Sequence, residues 1–212
     1  MKIIYKPLIY CCFLGLLTSC AVSSKVTSNV SYTALSFNQS SLEADGLALL
    51  PIVAGSGVEG YRRPFGEAMN KTADSLITNF MPWNETLDSL NNHGLVSYYN
   101  SAIRSYQDTG IIDRSILQKM HQATDKNYFL FVHLAPPTAE RYATYSSFSG
   151  VSVTETKSVS AFGIVWSSKD GDVVWEGYAV AEVTTGEFTY SNESDMERAV
   201  KVARALMTSL LR

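Results

Sequence analysis

Residues 159–182 read VSAFGIVWSSKDGDVVWEGYAVAE. Two runs rich in Val, Ile, Phe, Tyr and Trp flank Asp170-Gly171, the dipeptide favoured in two-residue hairpin turns. Closing the turn there sets Lys169 against Asp172, Trp166 against Trp175, Ile164 against Gly177, Phe162 against Ala179 and Ser160 against Ala181. Large side chains oppose small ones along that face, which allows something to pack closely across it. The other face, with Val159, Ala161, Val165, Tyr178 and Val180, is also mostly apolar. Both faces are therefore expected to be covered at least in part. That means a sheet inside an α/β body, not a free hairpin.

The flanking sequence supplies the covering elements. On the C-terminal side, Ser194-Asp195-Met196-Glu197 is a capping box, and Met196, Ala199, Val200, Ala203, Leu206, Met207 and Leu210 repeat at helical spacing to about Leu211. On the N-terminal side, Tyr128–Leu134 is a continuous apolar run stopped by Pro136-Pro137, and Leu47–Val53 is another, interrupted by Pro51. Runs of this kind are strands buried on both faces. Pro51 removes a ladder donor, so that strand is expected at an edge or irregular there. Between the two runs, helical periodicity covers 64–81 and 95–107, a short turn of helix fits 84–92, and Asp113 caps a further helix through Met120. The expected fold class is α/β: a mixed β-sheet packed by helices on its faces, a single domain over residues 45–212.

On the Leu47-Ala-Leu-Leu-Pro51 strand, the helices after it and Gly171-Asp-Val-Val-Trp175, this region resembles the periplasmic domain shared by the curli-secretion lipoprotein CsgG, the amino-terminal domain of TolB and the LpoB activator of peptidoglycan synthase. The resemblance implies a fold more than a function, because those relatives do different jobs. It transfers no binding residue to this chain.

The amino terminus indicates location. Lys2 and Lys6 precede an apolar run from Leu8 to Leu17, and then comes Leu17-Thr18-Ser19-Cys20. This is the layout of a secretory signal, and about ten apolar residues are too few to cross roughly 30 Å of hydrocarbon. Leu-Thr-Ser-Cys resembles the lipobox of bacterial lipoproteins, in which the Cys thiol is joined to diacylglycerol and becomes the first residue. The resemblance implies a lipoprotein signal peptide over 1–19 and a palmitate-bearing lipid anchor on Cys20. With Ala21 in place of a retaining Asp, it also implies the outer membrane, the body facing the periplasm. Residues 20–44, rich in Ser, Thr and Asn, are expected to be a flexible linker of about 27 Å r.m.s. span, with room for a short strand around Tyr32–Phe37.

Composition narrows the chemistry. Cleavage before Cys20 leaves 193 of 212 residues, and loss of Lys2 and Lys6 leaves 15 basic against 20 acidic side chains, a net −5. An acidic body does not suit nucleic acid. Cys11 and Cys12 leave with the signal, so the mature chain holds no spare thiol for a disulfide, a nucleophile or a zinc site. His93, His121 and His133 have no metal-ligand spacing. Gly55-Ser-Gly-Val-Glu-Gly60 fits the dinucleotide fingerprint in letters only, because Pro64 starts the helix too late and no acid ends a second strand about twenty residues on. No catalytic residue, cofactor or metal is assigned.

The expected function is therefore a membrane-anchored, non-enzymatic protein-binding or assembly factor of the cell envelope. The alternatives are a hydrolase or small-ligand binder acting on envelope material and, ranked lower, a component of an outer-membrane secretion pore. Residues 138–158 are hydroxyl-rich, with Phe148-Ser149-Gly150 as a turn midway. They are expected to form a protruding hairpin or ordered loop, with Tyr142, Tyr145 and Phe148 as partner-binding anchors, or else a floppy loop whose aromatics fold back on the body. Glu155 and Lys157 interrupt the alternation that a lipid-facing barrel strand needs.

Overall fold

The computed structural model describes residues 22–146, 150–186 and 190–211, apart from the side chains of residues 146 and 150. Its sheet is built on β7 (Gly150–Ser167). One side of β7 pairs antiparallel with β8 (Val173–Gly186). The other side carries β6 (Thr138–Ser146) along its first half and β5 (Tyr128–Leu134) along its second, both antiparallel. Pro136-Pro137 separates β5 from β6, where two successive donors are missing. Beyond β5 the sheet turns parallel with β2 (Leu47–Leu49) and β3 (Val53–Ala54), and β4 (Phe80–Met81) adds to β2. Beyond β8 lies β1 (Ser23–Thr33), antiparallel to it. The path is β1-β8-β7-β5-β2-β4, an open mixed sheet of eight strands.

Helices cover both faces of one half of this sheet. On one face α2 (Arg62–Asp74) and α6 (Asp195–Ser209) bury Phe65, Met69, Val202 and Leu206 against Leu49, Leu130, Val165 and Trp175. On the other, α3 (Trp83–Asn92), α4 (Val96–Thr109) and α5 (Arg114–Thr124) bury Leu90, Tyr99, Ile103 and Leu117 against Leu50, Phe129, Phe131, Ile164 and Trp166. Each fully buried aliphatic side chain contributes roughly 1.5–3 kcal/mol, so the two apolar layers carry the fold without a disulfide. The fold class is as expected.

Three expectations are corrected. Residues 20–44 are not a linker throughout: Ser23–Thr33 is a sheet strand, and α1 (Gln39–Asp45) follows, capped by a reciprocal Asn38–Ser41 box. The helix expected over 64–81 ends at Asp74, and Phe80–Met81 returns to the sheet as β4. In the hairpin, Ser167 N–H donates to Asp172 C=O at 2.9 Å, which makes a four-residue loop in which Gly171 (φ 83°) is the left-handed residue. Val174 is then an extra residue, so Trp166 pairs with Val173 and Val165 with Trp175. Longer loop and bulge together shift the ladder by one, and the two tryptophans lie on opposite faces, Trp175 toward α6 and Trp166 toward α4. Pro51 falls in the break between β2 and β3, where its carbonyl accepts from Tyr99 Oη at 2.9 Å.

Candidate interaction surface and arm cleft

The helices stop short of the whole sheet. Residues 138–146 and 150–158 run on as an antiparallel arm, with Thr138 opposite Ser158 at its base and Ser146 opposite Gly150 at its outer end. Side chains alternate across a strand. Tyr142, opposite Thr154, therefore lies on the face that carries Phe162 and Tyr178, whereas Tyr145, opposite Val151, lies on the α6 face. The two expected anchors are both exposed, but the structure does not bring them together. Phe148 and Cys20 lie outside the described residues.

Tyr142 shares the α4 face with two further exposed tyrosines but stands apart from them, because its partner Thr154 lies eight residues, about 26 Å, along β7 from Phe162. Tyr178 pairs with Phe162 and Asn29, and Tyr32 pairs with Glu176, all on the α4 face, where Phe162 packs against the edge of the α3–α5 layer. Tyr142, Tyr178 and Tyr32 are 57%, 43% and 48% exposed. The Tyr142 hydroxyl donates to the Glu140 carboxylate, which raises its pKa. Tyr178 was legible as a strand residue. Tyr32 was legible only as the start of a short strand around 32–37, whereas it lies at the end of the strand Ser23–Thr33.

On the opposite face, a cleft of about 690 Å³ lies between the arm and the start of α6. Arg141, Glu155, Lys157, Tyr190, Asp195 and Arg198 line it. Its charges are largely matched internally. Arg141 Nε lies 2.9 Å and Lys157 Nζ 3.4 Å from Glu155, and the Arg141 guanidinium holds that carboxyl below its usual range. Arg198 is buried, pairs with Asp195 and donates from Nη1 to Glu193 C=O at 3.0 Å, while its Nε has no partner. Lys201 binds Glu193 at 3.0 Å, and Ser24 Oγ of β1 donates to the same carboxylate at 3.0 Å. The Ser24–Glu193–Lys201 contacts staple β1 to α6. Among the described residues no group of three His, Cys, Asp or Glu is placed to hold a metal ion. Among them, too, no helix is long and apolar enough to cross a membrane.

No protein-family model and no curated protein matches this chain. Solved structures similar to it include the PelC dodecamer from Paraburkholderia phytofirmans, at 14% identity over 89% of this chain and 97% of that one, TM-score 0.41. Lipoprotein GNA1162 from Neisseria meningitidis is similar at 14% identity over 77% and 96%, TM-score 0.37. A homologue of neuraminyllactose-binding hemagglutinin from Helicobacter pylori is similar at 11% identity over 80% and 82%, TM-score 0.42. No residue role is transferred from them.

Proposed function

We propose that this chain is an outer-membrane lipoprotein whose α/β body binds another envelope protein as an assembly or accessory factor and performs no reaction of its own. The amino-terminal Leu-Thr-Ser-Cys20 pattern supports the anchor. The observation that carries the binding reading is the uncovered sheet face with Tyr32, Tyr142 and Tyr178. Tyrosine contributes large, rigid contact area with a polar tip, which is why interfaces favour it. A sheet face in a monomer is otherwise expected to be polar where helices leave it bare.

Two measurements test the two halves of this reading. Cys20→Ala is expected to abolish incorporation of radiolabelled palmitate, and equal labelling of variant and parent would refute the anchor. A photoreactive phenylalanine placed at 142 or 178 is expected to trap one discrete envelope protein in cells, whereas the same residue at exposed Gln122 on α5 traps none. Absence of an adduct from both tyrosine positions, or equal adducts from all three, would refute the binding face.

A further inference from the structure

The first rungs of the sheet lie close to the expected lipid anchor. Only Ala21 and Val22 separate Cys20 from β1, whose first residue Ser23 is already paired with Thr184. Three residue steps reach at most about 11 Å. If Cys20 holds the chain to a bilayer, Ser23 is held within that distance of it.

Ser23, Thr184 and Thr156 are level across β1, β8 and β7, and β1 and β7 run in the same direction. Running back along β7 from Thr156 toward the outer end of the arm therefore points the same way as running back along β1 toward Ser23. Val151 lies five residues beyond Thr156, roughly 17 Å along the strand. The twist accumulated over two strand steps, about 45°, reduces the projection to roughly 12 Å. The end of the arm thus projects past the level of Ser23 by about the distance within which Cys20 must lie.

The composition of that end fits such a position. Its outer five rungs, from Tyr142–Thr154 to Ser146–Gly150, contain no charged residue. The first charges inward are Arg141 and Glu155, which pair with each other at 2.9 Å. Tyr145 and Val151 face each other across the ladder and stand 80% and 58% exposed. An amphipathic ring beside an aliphatic side chain suits the headgroup level of a bilayer. Five rungs, about 17 Å, are too short to span roughly 30 Å of hydrocarbon.

We propose that the outer end of the β6–β7 arm, through Tyr145 and Val151, seats in the interfacial layer of the membrane that holds Cys20 and so fixes the body upright on the lipid surface. This rests on the lipid-anchor reading. It leaves the Tyr32–Tyr142–Tyr178 face free for a protein partner, because Tyr145 points to the opposite side of the arm.

The test uses the mature lipidated protein in vesicles of phosphatidylethanolamine and phosphatidylglycerol. Lipid occupies the Cys20 sulfur, so Tyr145→Cys provides a single free thiol for an environment-sensitive fluorophore. Asp172→Cys, in the loop at the other end of the sheet, is the control. The label at 145 is expected to shift to shorter wavelength and to lose about half its intensity to shallow nitroxide lipid, as for a group seated roughly 5–10 Å into the interface. The label at 172 is expected to do neither. If the protein floats with the vesicles but position 145 is not quenched, the seating is wrong and the anchor stands. A spectral shift that follows protein density without lipid quenching marks a second copy as the occupant and overturns the proposal. Failure to float, together with loss of palmitate, overturns the anchor and this inference with it.

Discussion

A Cβ added to Gly177 would stand 2.6 Å from Trp175 Cζ2 and 3.1 Å from the Asn29 carbonyl oxygen, and one on Gly163 would stand 3.1 Å from Trp175 Cζ3. Gly163 and Gly177 are direct cross-strand partners. Together they make a bare patch of sheet on which the indole of Trp175 lies, closed over by Leu206 of α6. Gly177→Ala should therefore force a rigid ring against a backbone carbonyl and cost about 1–3 kcal/mol, read as a lower urea midpoint with an unchanged slope. Gly60→Ala, where an added Cβ meets nothing within 4 Å, should be neutral or stabilising by up to about 1 kcal/mol. Equal midpoints for the two variants would remove the platform from the account. The alternation of large and small residues was visible before the fold was known, but its partner was not. Asp170-Gly171 has the letters of a two-residue turn, and no residue type announces the four-residue loop or the extra residue at Val174.

Among the elements, α6 is the most fully specified by local sequence. Ser194 Oγ accepts from Glu197 N–H at 3.2 Å, and Glu197 accepts from Ser194 N–H at 2.7 Å. Removing the hydroxyl with Ser194→Ala should cost about 1 kcal/mol, or roughly 2–4 °C in Tm for a body of this size. The Ser194 backbone and side-chain hydrogen bonds hold the Glu197 carboxyl below its usual range. A carboxyl depressed on folding stabilises fully above its unfolded pKa of about 4.3 and loses that contribution as pH falls through the folded value. Acid should therefore lower the Tm of the parent more steeply than that of Glu197→Gln. Parallel acid profiles would assign the sensitivity to other carboxyls, with Glu155 as the next to examine. In contrast, β1 could not be read from its letters. An edge strand bare on one side needs no apolar alternation, so Ser, Thr and Asn pass for a linker. Its partner β8 lies some 150 residues away, and no local signal records that pairing.

At the scale of the whole molecule, the arm and the body are different kinds of structure. The rungs beyond Arg141–Glu155 pair β6 with β7 and contain no buried residue among those whose side chains are described, while the body encloses both apolar layers. Deleting residues 142–154 and joining Arg141 to Glu155 through Asn-Gly should leave Tm within about 4 °C of the parent, since little apolar surface is lost. Vesicle flotation should persist through the lipid anchor. A large drop in Tm would show that the arm belongs to the core. The α/β class, the helix layers and the arm were legible because apolar periodicity and turn residues encode them directly. The split of the arm's tyrosines between two faces was not, because it depends on the register against β7. The position of β1 also sets an order of events in time. Its partner residues are synthesised long after it, and closing so long a loop is slow. Until then β1, three residues from Cys20, is unpaired. Once Ser23 has zipped onto Thr184, only Ala21 and Val22 lie between Cys20 and the sheet. On the anchored reading, lipid attachment comes first and the final strand is laid down at the membrane surface.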